Sequence, residues 1–299
     1  MKEYALFLGC LIPARLPYLE AISIRVLERF GIRIKAMNGT SCCPDPIVSE
    51  SFDGKAWLMI AARNLSIAEE MKSDVLTLCN GCFSSLSRSN YLLKGDVNLK
   101  EEINNYLRQV NRKISGTIDV KHVAKVVHDL GPKKIKKQLR RQLKQWRVAS
   151  HYGCHLVRPS SVLNLDDPIR PIIIDKIIGW IGAQPIDYTR KMLCCGAGIK
   201  EISPESNLAM LREKLASVRA AGANCVATPC PFCFIQLDMG QEEVNRKFNE
   251  NYHIPVFYLT QLIGLALGFS AKDVGLQFHK TRLKSFQELQ YIPRRADEE

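Results

Sequence analysis

Ten of the eleven cysteines fall into two copies of one pattern: a single cysteine, an adjacent pair, then C-x-x-C. In the first copy, Cys10 is followed after 31 residues by Cys42-Cys43, and after 35 more by Cys79-Asn80-Gly81-Cys82. In the second, Cys154 is followed after 39 residues by Cys194-Cys195, and after 34 more by Cys230-Pro231-Phe232-Cys233. The flanks echo as well: Leu8-Gly9-Cys10 matches Tyr152-Gly153-Cys154, and Val75-Leu76-Thr77-Leu78 matches Val226-Ala227-Thr228-Pro229. The copies are offset by 144 positions at the single cysteine (154 − 10) and by 152 at the pair (194 − 42). Such a period points to a duplicated half-domain rather than a solenoid. The pairs constrain the backbone most, because neighbouring strand residues point to opposite faces. Gly196 and Gly198 permit the bend that turns both sulfurs of the second pair to one centre, and Pro44 and Pro46 hold the first loop open.

The same plan of elements runs through both copies. Apolar runs at 4–8 and 147–152 predict strands ending at Cys10 and Cys154. Spacings of three and four over 18–30 (Leu19, Ile22, Val26, Leu27, Phe30) predict an amphipathic helix stopped by Gly31. Further strands are expected at 32–37, 74–78, 185–188 and 224–228, and helices at 56–71, 171–182 and 208–220. The alternation predicts an α/β fold: two pseudo-symmetric repeats with largely parallel strands and helices, and cofactor sites at loops following strands. The expected divisions are a first repeat at 1–97, a helical basic connector at 98–145, a second repeat at 146–278, and a peripheral tail at 279–299.

At 299 residues, 46% hydrophobic and 24% charged, the composition is that of an ordinary globular chain. No signal-peptide pattern opens the sequence, and the apolar run near 254–269 is too short to cross a bilayer, so a cytoplasmic protein, not itself transmembrane, is expected. A reducing compartment favours metal binding or redox chemistry over disulfides. The net charge of +12 favours acidic partners or an anionic substrate. Lys133, Lys134, Lys136, Lys137, Arg140 and Arg141 read as a solvated helix face or a docking surface. No nucleic-acid module accompanies them, so no nucleic-acid partner is expected.

Four thiolates close a structural zinc site, and a cubane iron–sulfur cluster also needs four. Five per copy, drawn from three separated loops, favour an unusual, partly opened iron–sulfur cluster, with zinc in one repeat as the alternative. Cys225 stands outside the pattern and reads as a buried strand thiol. His151 and His155 flank Cys154; either is a proton donor to a departing thiolate or a structural histidine. Lys191 and Lys200 bracket the second pair and read as anion holders or as solvated side chains.

The two cysteine patterns, from residue 6 to 238, resemble the paired CCG domains of the B subunit of heterodisulfide reductase. Proline after the first pair matches the first domain of that family. The resemblance implies two noncubane [4Fe–4S] clusters, one held by Cys10, Cys42, Cys43, Cys79 and Cys82, the other by Cys154, Cys194, Cys195, Cys230 and Cys233. It also implies reductive cleavage of the coenzyme M–coenzyme B disulfide, an anionic substrate, with Cys43, Cys195 and His155 expected at the reacting centre. Electrons would arrive from a ferredoxin-like iron–sulfur partner of the C type, fed by a flavoprotein of the A type or a membrane cytochrome. The rival readings are a zinc-stabilised scaffold without chemistry of its own, and an electron-transfer subunit of a fumarate, lactate or glycolate enzyme.

Overall fold

A computed structural model describes residues 2–281. Among the described residues, eight short strands form two four-stranded sheets, and every strand pairing is parallel. The first sheet has the order β2-β1-β3-β4, with β1 Glu3–Phe7, β2 Arg33–Ala36, β3 Val75–Thr77 and β4 Val120–His122. The second repeats it as β6-β5-β7-β8, with β5 Arg147–Ser150, β6 Gln184–Ile186, β7 Cys225–Thr228 and β8 Val256–Tyr258. In both, the strand order reverses direction between the first and third strands in sequence. Such a switch point opens a crevice beyond the carboxyl ends of the strands, and there the cysteine loops leave the sheets.

The helices form where the apolar spacing places them. Pro17–Arg29 buries Leu19, Ile22, Val26 and Leu27 completely, and proline at its start suits a position whose N–H has no helical partner. Gly54–Glu70 starts at Asp53, whose carboxylate accepts from the N–H of Lys55 and of Ala56, each at 3.0 Å. Pro204–Ala220 is its counterpart in the second half.

The halves are joined by one continuous apolar core that includes Ile22, Leu76 and Phe83 from the first and Val148, Ile177 and Leu262 from the second. Helix Pro17–Arg29 packs on helix Leu259–Ala266, where Ser23 Oγ lies 2.8 Å from Thr260 Oγ1. Helix Val123–His128 packs on Ile173–Trp180, with the His128 and Trp180 rings stacked at 5.1 Å between centroids.

Two expectations need correction. Residues 98–145 are not a purely helical connector, because β4 lies within them and completes the first sheet through Val75↔Val120 and Thr77↔His122. Three residues cannot announce themselves by periodicity in so polar a stretch. The tail is also not peripheral from its start: His279 and Thr281 are buried, and Asp238 accepts from the N–H groups of Lys280 and Thr281 at 2.8 and 2.9 Å. The remainder of the expected tail, 282–299, lies outside the described residues. Among the described residues no helix is long and apolar enough to cross a membrane.

The sheets are tied across their seam by Tyr258, fully buried at the end of β8, whose hydroxyl donates to the Leu78 carbonyl of the first half. Tyr258→Phe leaves that buried carbonyl without its donor and should cost about 1–3 kcal/mol. Anaerobic denaturant unfolding checks this; unchanged stability would show that the bond does not brace the seam.

Candidate metal centre

Each C-x-x-C opens a long helix. Cys79 caps Asn80–Gly95 and Cys230 caps Pro231–Phe248, so Cys82 and Cys233 lie in the first turns. The unpaired N–H groups and the dipole of a helix start favour thiolates there. Cys10 and Cys154 follow Gly9 and Gly153, whose φ angles of +68° and +72° belong to the region that glycine tolerates best. A Cβ on Gly9 would lie 2.6 Å from Cys82 Sγ, and one on Gly153 would lie 3.3 Å from Cys233 Sγ. Each glycine therefore lets its loop close onto the C-x-x-C of its own half.

The paired cysteines are fixed by side chains from the flanking helices. In the first half, Asn64 Nδ2 donates to the Cys42 carbonyl at 3.0 Å and Ser85 Oγ to the Cys43 carbonyl at 2.6 Å. In the second, Lys214 Nζ donates to the Arg190 carbonyl at 2.6 Å, and the Gly196 N–H reaches Cys194 Sγ at 3.4 Å.

The result is one continuous run of interacting thiols. Its first half is Cys10, Cys42, Cys43, Cys82, Cys79, and its second is Cys230, Cys233, Cys195, Cys194, Cys154. The order is palindromic about the seam, where Cys79 Sγ and Cys230 Sγ stand 4.0 Å apart. Cys195 Sγ and Cys233 Sγ are separated by 3.4 Å. All the cysteines are free, and the run passes from buried Cys230 and half-buried Cys79 at the seam to exposed Cys10 and Cys42 at one end. Hydrogen bonds from Cys42 and then Cys82 hold Cys43 down at about 5, and those from Cys154 and then Cys195 hold Cys194 at about 2. Cys230 is likewise lowered by Cys233 and then Cys79. The lowered thiol of the first half is therefore Cys43, in the middle of its run, whereas in the second half Cys194 and Cys230 are lowered and Cys195 between them is raised.

The expected site residues divide clearly. All ten pattern cysteines come together, and Cys225 does not join them: it is buried at the opposite end of β7, and burial pushes its thiol up. His155 lines a cleft of about 140 Å³ with Cys79, Cys154, Cys194, Cys230 and the loop 45–47, and burial lowers its basicity. His151 is instead fully buried. Lys191 and Lys200 are both engaged in ion pairs, Lys191 with Asp175 at 2.8 Å and Lys200 with Glu243 at 2.6 Å.

Several residues carry no signal that the sequence alone reveals. Asn80 Nδ2 donates to the Tyr152 carbonyl at 2.6 Å, tying one C-x-x-C helix to the other half. His122, at the end of β4, faces the Pro229 carbonyl from the position that Tyr258 holds in the second sheet. The repeat does not flag them: the C-x-x-C offset of 151 (230 − 79) sets Asn80 against Pro231, and His122 lies 136 positions before Tyr258 (258 − 122).

The matching family model is the CCG cysteine-rich domain, and it covers residues 4–87 and 148–238. The chain belongs to the CCG cysteine-rich family. It is 41% identical over 280 residues to the B subunit of the ferredoxin/F(420)H(2)-dependent CoB-CoM heterodisulfide reductase of Methanosarcina acetivorans, covering 93% of each chain. It is 32% identical to the 8-methylmenaquinol:fumarate reductase membrane anchor subunit of Wolinella succinogenes, covering 92% of this chain and 95% of that one. A hypothetical protein from Helicobacter pylori shares the fold, with a TM-score of 0.75 at 13% identity, across 95% of this chain and 52% of that one. These CCG relatives are named as reductase subunits, which supports an oxidoreductase role within a multi-subunit complex, and others are named as iron–sulfur proteins.

The residues fit an iron–sulfur group. Ten soft donors converge without pairing, and polar atoms around them have no partner among the described residues: Asn80 Oδ1, both ring nitrogens of His151, and Asn207 Nδ2. Gly153→Ala tests the close approach, because its Cβ would lie 2.6 Å from Asn80 Nδ2 as well as against Cys233. Metal bound by the anaerobic protein should fall by about half, with the first set still loaded. Full loading of both sets would show that the loop has room to spare.

Proposed function

We propose that the chain is the catalytic subunit of an iron–sulfur disulfide reductase that cleaves the coenzyme M–coenzyme B heterodisulfide. The observation that carries this reading is the meeting of the two thiol sets at Cys79 and Cys230, 4.0 Å apart. In this reading Cys10, Cys42, Cys43, Cys79 and Cys82 hold one noncubane [4Fe–4S] cluster, and Cys154, Cys194, Cys195, Cys230 and Cys233 hold the other. When bound, each group would supply one of the two electrons that cleavage of the substrate's S–S bond requires.

The chain's own residues prepare the place. Asn64 and Ser85 hold the carbonyls of Cys42 and Cys43, and Lys214 holds the Arg190 carbonyl in the loop that leads to the second pair. Ile47 and Phe232, partly exposed at the cleft, limit the access of water to it. His155 offers a ring N–H to a departing thiolate. The excess of Lys and Arg attracts the anionic substrate.

The sequence holds no nucleotide-binding fingerprint and no ferredoxin run of four cysteines. Electrons therefore come, in this reading, from a ferredoxin-like partner fed by a flavoprotein or a membrane cytochrome, in the cytoplasm. A second reading, an electron-transfer subunit of another redox complex, is favoured by the similarity to the fumarate reductase subunit.

Cys43→Ser and Cys195→Ser separate the two. Serine is nearly isosteric but a hard, poor ligand for iron, so each variant should lose or alter one centre only. Heterodisulfide cleavage should then drop more than about 100-fold in both, beyond the loss typical of changes to residues that merely support a ligand. Spectra must first show the untouched centre intact. Substantial cleavage by either variant would contradict the paired mechanism and leave one centre as a relay.

A further inference from the structure

The second thiol set has a neighbour that the first lacks. His151 follows β5, is fully buried, and is anchored by its backbone N–H on the Ala227 carbonyl at 2.8 Å. Among the described residues, neither of its ring nitrogens has a hydrogen-bond partner. A ring nitrogen, Cys195 Sγ and Cys233 Sγ all lie within 4.8 Å of one another. Subtracting the offset that relates Cys154 to Cys10 (154 − 10 = 144) places Phe7 at the matching position of the first half. Phe7 is also buried, but its ring offers no donor.

A buried imidazole with both nitrogens idle is costly, and such a group calls for a partner not yet accounted for. The acceptors that the surrounding chemistry supplies in quantity are sulfurs. Lys214 adds to the same asymmetry. Its ammonium is buried, rests on the Arg190 and Lys191 carbonyls at 2.6 and 3.3 Å, and lies within electrostatic reach of Cys194, Cys195 and Cys233. Its counterpart by the C-x-x-C offset (230 − 79 = 151) is Arg63, which donates to the Gly39 carbonyl at 2.9 Å and is only half-buried.

We infer that His151 donates a ring N–H to a sulfur of the group held by the second thiol set, making that centre easier to reduce than the first. Hydrogen bonds to the sulfurs withdraw electron density and favour the reduced state, and such outer contacts tune a metal site without ligating it. The two halves, alike in their cysteines, are therefore electronically unequal, and the first electron settles on the second set. His151 acts here as a positioning and tuning residue. The inference rests on the reading of both sets as iron–sulfur sites.

Anaerobic redox titration of the full chain, followed by electron paramagnetic resonance with iron content measured in parallel, tests it. Cys195→Ser identifies which signal belongs to the second centre. His151→Phe, which copies the first half, should shift the midpoint of that centre to a more negative potential and leave the other in place. His151→Gln, which restores an N–H donor, should keep more of the native midpoint. The native protein provides an arm that does not depend on folding of a variant. With ¹⁵N-histidine, pulsed resonance should detect nitrogen coupling to the second centre, and His155→Gln should retain it. A fully iron-loaded protein with no such coupling and no selective shift overturns the inference alone. A protein without iron overturns the iron–sulfur reading beneath it.

Discussion

The rest of the structure depends on bringing two helix starts together at one seam. Cys79 and Cys230 cap helices from opposite halves, and their sulfurs stand 4.0 Å apart. The Asn80 N–H turns toward Cys230, its side chain toward Tyr152, and Tyr258 toward Leu78, so the halves exchange hydrogen bonds at the same spot. Two positive helix ends in such proximity repel unless something negative lies between them. Cys230, whose thiol is pushed down by hydrogen bonds from Cys233 and Cys79, is placed to supply that charge, so the electrostatics of the seam and its sulfur chemistry are one arrangement.

The fold follows from this need. A parallel sheet with a switch point delivers its loops to a single crevice, and duplicating the sheet makes two crevices that can face each other. A continuous apolar core across the halves keeps them facing. Asn64 and Ser85 then hold the first cysteine pair through its backbone carbonyls, and Lys214 holds the loop before the second pair through the Arg190 carbonyl. The sulfurs themselves are left free of structural duty and available to a metal group.

Much of this was legible in the chain because its constraints are local. The helix over Pro17–Arg29 repeats Leu19, Ile22, Val26 and Leu27 at helical spacing, and the strand before Cys79 is a short apolar run. The cysteine pattern marked the site without any knowledge of the sheets. What remained hidden was short or non-local. Strand β4 has three residues in a polar stretch, and its existence is decided by pairing with β3. Tyr258 looked like part of an apolar run, although its hydroxyl reaches a carbonyl 180 residues away. Lys191 reads by sequence as an anion holder or a solvated side chain, and only the fold could bring Asp175 beside it. His151 and His155 both flank Cys154 in sequence, with His155 the one expected at the reacting centre; burial separates them, one sealed against the second thiol set and the other facing the cleft.

The central claim is that both thiol sets hold iron and sulfide side by side. The metal and sulfide content of the chain, purified without oxygen and separated from its partners, tests it most directly. Two four-iron groups require a brown protein with about eight irons and a matching amount of sulfide per chain. A colourless protein carrying stoichiometric zinc and no sulfide would contradict the account, and would make the ten cysteines a scaffold.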